Sequence, residues 1–124
     1  MASRWFLIFS TIVWLPYGLY CFAQPGYLHD AAGVAIASTT GSIELRAMYG
    51  GLQIAIGVMT LLGVLRPSFT RTALTLVGGL CSGLCLARAT GVLLDGGVSA
   101  YTAFALLFES ISAIGGLALA RAAD

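Results

Sequence analysis

The sequence predicts an all-α integral membrane protein, a bundle of four transmembrane helices running up-down-up-down. Three observations predict it. Of the 124 residues, 59% are hydrophobic and only 9% charged, against about 25% charged in a soluble domain. Four apolar segments, roughly Trp5–Ala23, Glu44–Leu65, Thr72–Leu94 and Ser99–Arg121, are each long enough to cross a bilayer. A crossing needs about 20 such residues, because a helix rises about 1.5 Å per residue through roughly 30 Å of hydrocarbon. The connections between successive segments are short, which favours antiparallel neighbours. Residues 1–124 read as one membrane domain, without a repeat, a low-complexity tail or a soluble module.

The first span follows Arg4 and contains Trp14, Pro16, Tyr17 and Tyr20. Its start and the stretch Cys21-Phe22-Ala23 have the outline of a signal peptide. The interruptions in its apolar run favour an uncleaved span. Pro25-Gly26 breaks the chain. Asp30 is expected to N-cap a short interfacial helix over Ala31–Ser38, ended by Thr39-Thr40-Gly41. Ser42 is then the expected cap of the second span, with Glu44 in its first turn, where the helix dipole favours an acid. Arg66-Pro67-Ser68 makes a tight turn into the third span. Gly96-Gly97 ends that span, and Ser99 caps the fourth.

Charge asymmetry gives an orientation. Arg4, Arg66, Arg71 and Arg121 fall on one side of a four-span chain, and the opposite loops, Gln24–Ile43 and Asp95–Val98, contain no Lys or Arg. The positive-inside rule then places both termini in the cytoplasm. There is no lysine, and six basic against five acidic residues leave a formal charge of +1. That balance argues against nucleic acid as a partner.

The spans also carry small residues at four-residue intervals: Ala47, Gly51 and Ala55 on the second, Gly79, Gly83, Ala87 and Gly91 on the third. Such stripes let helix backbones approach. Packing within the bundle is the expected use; contact with a second copy is the alternative.

A few polar residues lie inside the apolar segments, and these define the candidate site. A charge at bilayer depth costs about 2.5–3.5 kcal/mol even on lenient insertion scales, so it faces a bundle interior and finds a partner. Glu109 lies about 15 Å below the surface by the helical rise, Gln53 about 13 Å, Arg88 about 9 Å and Arg46 about 3 Å. On the second span Arg46, Tyr49, Gly50 and Gln53 share a face by helical spacing. On the third, Cys81, Cys85, Arg88 and Asp95 do; on the fourth, Glu109, Ser112, Ala113 and Gly116 do. These stripes are expected to converge as a funnel. Arg88 is the expected partner of Glu109, and Arg46 is expected to pair with Glu44 or Asp95 nearer the surface. The pairs either lock helix register or form a ligand or proton site.

Two thiols one turn apart, Cys81 and Cys85, suit neither a disulfide nor a metal site, and His29 is the sole histidine. No metal or other cofactor is expected, and the three cysteines read as small packing residues. No nucleophile elbow, zinc-protease motif, phosphate loop or dinucleotide fingerprint is present, so nothing marks an enzyme.

The stretch Glu44-Leu45-Arg46-Ala47-Met48-Tyr49-Gly50-Gly51 resembles a motif of domain-of-unknown-function family 4345, small four-helix membrane proteins of bacteria. Arg88-Ala89-Thr90-Gly91, followed by Asp95-Gly96, resembles that family's second motif. The similarity runs from Trp14-Leu15-Pro16 to the fourth span. It implies the four-span fold, a bacterial inner membrane and the choice of Glu44, Arg46, Tyr49 and Arg88. It implies no chemistry. A looser likeness to DoxX-like and sterol-scaffold four-span proteins is an analogy of fold alone.

Two functions from different classes fit these observations. One is an accessory or scaffold subunit that packs laterally against a membrane-protein partner or a second copy, with lipids around it. The other is a pocket for an apolar ligand with a polar head, such as a lipid, quinone or sterol-like molecule. An enzyme using Glu109 as general acid or base is a variant of the pocket. A proton-coupled transporter ranks last, since four spans are few for one. A cavity at the level of Gln53, Arg88 and Glu109 favours the pocket; dense packing there favours the scaffold.

Overall fold

The computed structural model describes residues 1–123. Regular structure among them is helical throughout: α1 (Ala2–Ala23), α2 (Tyr27–Ala32), α3 (Thr39–Leu45), α4 (Leu52–Leu65), α5 (Thr70–Asp95) and α6 (Ala100–Ala122). A π-helical turn, Arg46–Gly51, joins α3 to α4, and a 3-10 turn, Pro67–Phe69, leads into α5. Four helices are long and apolar enough to cross a membrane: Ala2–Ala23, Thr39–Leu65, Pro67–Asp95 and Ala100–Ala122. We call basal the end where α1 begins and α6 finishes, and apical the end that carries α2.

Two expectations on the second span are corrected. Ser38, not Ser42, caps it: Ser38 is extended, and its hydroxyl accepts from the Gly41 N–H at 3.0 Å. Thr39-Thr40-Gly41, read from sequence as a terminator, is the first turn, because the earlier serine already supplies the acceptor that a helix start requires. Glu44 therefore lies well inside the helix. The short interfacial helix also falls earlier than Ala31–Ser38. It starts after Pro25-Gly26 and stops at Gly33, whose left-handed conformation (φ 70°) lets its N–H bond back to the His29 carbonyl at 2.9 Å. Asp30 lies within that helix rather than at its cap. Leu28, fully buried, anchors it. The first and third spans start earlier than Trp5 and Thr72, at Ala2 and Thr70; Gly96 follows the end of α5, and the Ser99 hydroxyl accepts from the Thr102 N–H at 3.1 Å.

The helices associate as two extensive pairs, α1 with α4 and α5 with α6. Backbones meet closely in both. A Cβ on Gly57 would stand 2.6 Å from the Leu15 Cβ, and one on Gly116 would stand 2.9 Å from the Gly78 Cα. The Thr11 and Thr60 hydroxyls bond across the α1–α4 seam at 2.8 Å.

The small-residue stripes picked out from sequence do not make these seams. Ala47, Gly51, Ala55, Gly79, Gly83 and Ala87 are exposed, and nothing lies within 4 Å of a Cβ built on Gly79, Gly83 or Gly91. The inward face of α5 is set by Leu74, Val77, Gly78, Cys81 and Arg88. Each helical residue is turned about 100° from the next, so seating that face turns Gly79 and Gly83 outward.

The basal half is solid. Leu7, Ala73, Leu74 and Ala120 form one buried cluster, with Phe6, Val64, Phe69 and Leu119 against it. Above it, Trp14, Ile56, Val77, Cys81 and Ala113 form a second. The apical half is different.

Candidate functional site

In the apical half the two helix pairs leave a cavity of about 490 Å³ between them. Trp14 and Ile56 of the upper cluster form part of its floor. From α1 it receives Phe9, Val13, Trp14 and Tyr17, spaced to share one helix face. From α6 it receives Tyr101, Phe104, Ala105, Phe108 and Glu109, at spacings of i, i+3, i+4, i+7 and i+8. The π turn and α4 add Met48, Tyr49, Leu52 and Gln53; α5 adds Leu84 and Arg88; α2 adds Tyr27. The rim is apolar and exposed: Phe104 is 74% exposed, and Phe9, Met48, Leu52 and Leu84 are exposed as well. In a membrane these residues meet lipid chains.

Glu109 is 4% exposed. Arg88 holds its carboxylate through a fork: Nε donates to Oε1 at 3.1 Å and to Oε2 at 3.0 Å, and Nη2 donates to Oε1 at 2.7 Å. The Arg88 guanidinium carbon also lies 5.9 Å from the Tyr101 ring centroid, within the range of a cation–π contact. One turn away, Cys85 Sγ and Ser110 Oγ bond at 3.2 Å and brace the same two helices. Charge-assisted, two-pronged pairing of this kind fixes orientation as well as energy.

Two other cavity-lining residues carry unmet polar atoms. The indole N–H of Trp14 and the side-chain carbonyl oxygen of Gln53 are buried with no hydrogen-bond partner among the described residues. Gln53 packs against Gly18, one turn along α1 from Trp14. Buried polar groups are normally satisfied, and leaving one unmet costs roughly 1–3 kcal/mol.

The sequence-predicted residues therefore separate into two groups. Tyr49, Gln53, Arg88 and Glu109 meet at the cavity. Glu44 and Asp95 are exposed; Asp95 borders a shallower apical depression of about 280 Å³ with Gly96, Gly97 and Thr102, which Arg88 also lines. The expected pairing of Arg46 with Glu44 or Asp95 is corrected. Arg46 Nη1 donates to the Phe22 carbonyl and, at 3.5 Å, to the Ala23 carbonyl. Its guanidinium carbon stands 5.9 Å from the Phe22 ring centroid. The physical reason is that the last turn of α1 leaves carbonyls without helical partners and a partial negative charge. The π turn delivers Arg46 to them.

The site residues picked out from sequence did not include the aromatic wall. Tyr17 and Tyr27 meet edge to face at 6.3 Å and line the cavity. Trp14 and Phe108 pack at 5.8 Å. A signal was present on α6, where the aromatic residues recur on the face that carries Glu109. The three cysteines are free, Cys21 and Cys81 buried and Cys85 half-buried. Among the described residues no group of three or more His, Cys, Asp or Glu side chains could hold a metal.

No curated protein and no solved structure matches this chain. Residues 2–120 match the family described as Domain of unknown function (DUF4345). That match covers both motif stretches, the first three spans, the fourth but for its last two residues, and every residue of the cavity, and the chain belongs to the DUF4345 family.

Proposed function

We propose that this protein binds an apolar ligand with a polar head inside the membrane, in a cavity open to the lipid. The observation that carries the proposal is the cavity itself. It lies at the level of Gln53, Arg88 and Glu109, and its volume of about 490 Å³ falls within the roughly 300–1,000 Å³ typical of small-molecule sites. Few polar groups set among aromatic and aliphatic walls are the usual make-up of such a site. The exposed apolar rim supports entry from the bilayer. Both oxygens of Glu109 are engaged by Arg88, an arrangement that supports a positioning role over proton transfer. The arginine asymmetry supports a bacterial inner membrane setting with both termini cytoplasmic.

A scaffold subunit is the second reading. The outward-facing small residues of α4 and α5 favour it, since they leave room for a partner helix. One experiment separates the two. Native mass spectrometry of the protein, extracted gently from its own membrane, is expected to show a reproducible small-molecule adduct. Val13→Phe, which adds bulk to the cavity from the α1 wall while the ion pair sits on α5 and α6, is expected to remove it. A bare chain, or one associated only with itself or another polypeptide, would replace the binding reading with the scaffold.

A further inference from the structure

We infer that the occupant of the cavity is an acyl lipid whose head group ends in an ammonium: its chain lies in the cavity, its linking oxygens meet Arg88, and its ammonium meets Asp95. This rests on the cavity being a ligand site and names the class of ligand it takes. Arg88 borders two spaces at once. One is the apolar cavity; the other is the apical depression of about 280 Å³ that it shares with Gly91, Asp95, Gly96, Gly97 and Thr102. The depression owes its room to glycine, since nothing lies within 4 Å of a Cβ built on Gly91, Gly96 or Gly97. A molecule with its chain among the aromatic walls therefore passes Arg88 and brings its head out at the apical end, as a lipid of that leaflet stands.

Arg88 has a donor to spare. Its bonds to Glu109 come from Nε and Nη2, and Nη1 makes none. Among the described residues the buried side-chain nitrogens and oxygens without a partner are Trp14 Nε1 and Gln53 Oε1. The unpaired Nη1 of Arg88 therefore stands in open space, on a side chain that is 27% exposed. It suits the ester or phosphate oxygens that link chain to head. Charge then selects the head. Glu109 already neutralises Arg88, which leaves Asp95 as the uncompensated charge of the depression: it forms no ion pair or hydrogen bond among the described residues. Asp95 is also the last residue of α5, where the final carbonyls carry partial negative charge and an acid is disfavoured. A cation there answers both. Asp95 follows Arg88 by two helical turns on one face, about 10 Å nearer the apical end. Oxygens deep and an ammonium outermost is the order in which an amine-headed phospholipid presents itself. A phosphate without an amine would face two carboxylates against one guanidinium.

The test titrates three lipids with the same two acyl chains into the detergent-solubilised protein: phosphatidylethanolamine, phosphatidylglycerol and diacylglycerol. Native mass spectrometry counts the adducts, and the site adduct is the one that Val13→Phe, on the cavity wall, removes. Phosphatidylethanolamine is expected to bind this site about five-fold more tightly than either other lipid, the scale of one ion pair at the water's edge. Asp95→Asn, at an exposed position, is expected to abolish that preference and leave the thermal unfolding midpoint unchanged. Asp95→Lys is expected to reverse it in favour of phosphatidylglycerol, which a merely structural role for Asp95 would not do. Phosphatidylglycerol or diacylglycerol binding as tightly as phosphatidylethanolamine, or a preference that survives Asp95→Asn, would overturn the ammonium contact and leave the cavity reading intact. The absence of any adduct sensitive to Val13→Phe would overturn the acyl lipid as occupant, and the cavity reading would then stand or fall on the adduct carried from the native membrane.

Discussion

Glu109 makes its energetic demand in the middle of a helix that offers almost nothing else polar, and Arg88 answers it from the neighbouring helix. Removing one member of such a pair is far worse than removing both. Glu109→Leu strands a guanidinium at depth, and the expected loss is about 3–5 kcal/mol. Glu109/Arg88→Leu/Leu is expected to recover most of that loss, because no unpaired charge remains. Glu109→Gln keeps acceptor geometry and is expected to cost less than Glu109→Leu. Reversible unfolding in mixed micelles of dodecyl sulfate and a mild detergent measures all of these. A double-mutant cycle with no coupling would show that the pair does not act as a unit. The pairing itself was legible in the sequence, since an intramembrane acid needs a partner and the long stem of Arg88 reaches several Å along the helix from its shallower position. The fate of Arg46 was not. Its partners are backbone carbonyls at the end of α1, and side-chain charge arithmetic does not count those.

At the scale of elements, length and hydropathy were enough to locate four crossing helices, because a bilayer imposes one length on all of them. Helix faces were legible where a charged or polar stripe settled them. They were misread where glycine spacing alone was used. Gly78 and Gly116 make the α5–α6 contact, and the more regular series Gly79, Gly83, Gly91 makes none. This gives a direct contrast. Gly116→Ala places a methyl against the Gly78 backbone and is expected to destabilise by about 1–3 kcal/mol. Gly83→Ala meets nothing and is expected to be neutral, or stabilising by up to about 1 kcal/mol through helix propensity. The same micellar unfolding assay reads both; equal costs would show that α5 is turned differently. The π turn escaped the sequence for another reason. An extra residue in one helical turn is stabilised by what it reaches, here the end of α1, and local propensity carries no mark of that. The cavity escaped similarly. Its wall residues were visible one by one, but whether α4 and α6 touch or stand apart depends on side chains far away in the chain.

The molecule as a whole is tight at the basal end and open at the apical end, and its arginines follow the same axis. Arg4, Arg66, Arg71 and Arg121 lie at basal helix ends, and the apical segments between α1 and α3 and between α5 and α6 have none. The inner-membrane orientation proposed above makes the apical end periplasmic. A membrane-impermeant thiol reagent on intact cells is therefore expected to label Ala35→Cys, in the apical loop, and to spare Ser68→Cys, in the basal turn. The reverse pattern would invert the protein. Both variants carry Cys85→Ala, which removes the half-buried native thiol; Cys21 and Cys81 are fully buried.

The closeness of the ion pair has an electrical consequence. Arg88 Nη2 and Glu109 Oε1 stand 2.7 Å apart, a small fraction of the roughly 30 Å over which a membrane potential drops. An isolated charge carried across that drop changes energy by about 2.3 kcal/mol per 100 mV. Opposite charges locked at one depth feel opposing forces that nearly cancel. An energised and a depolarised membrane therefore present the same site, and an uncharged occupant would enter and leave it without regard to voltage.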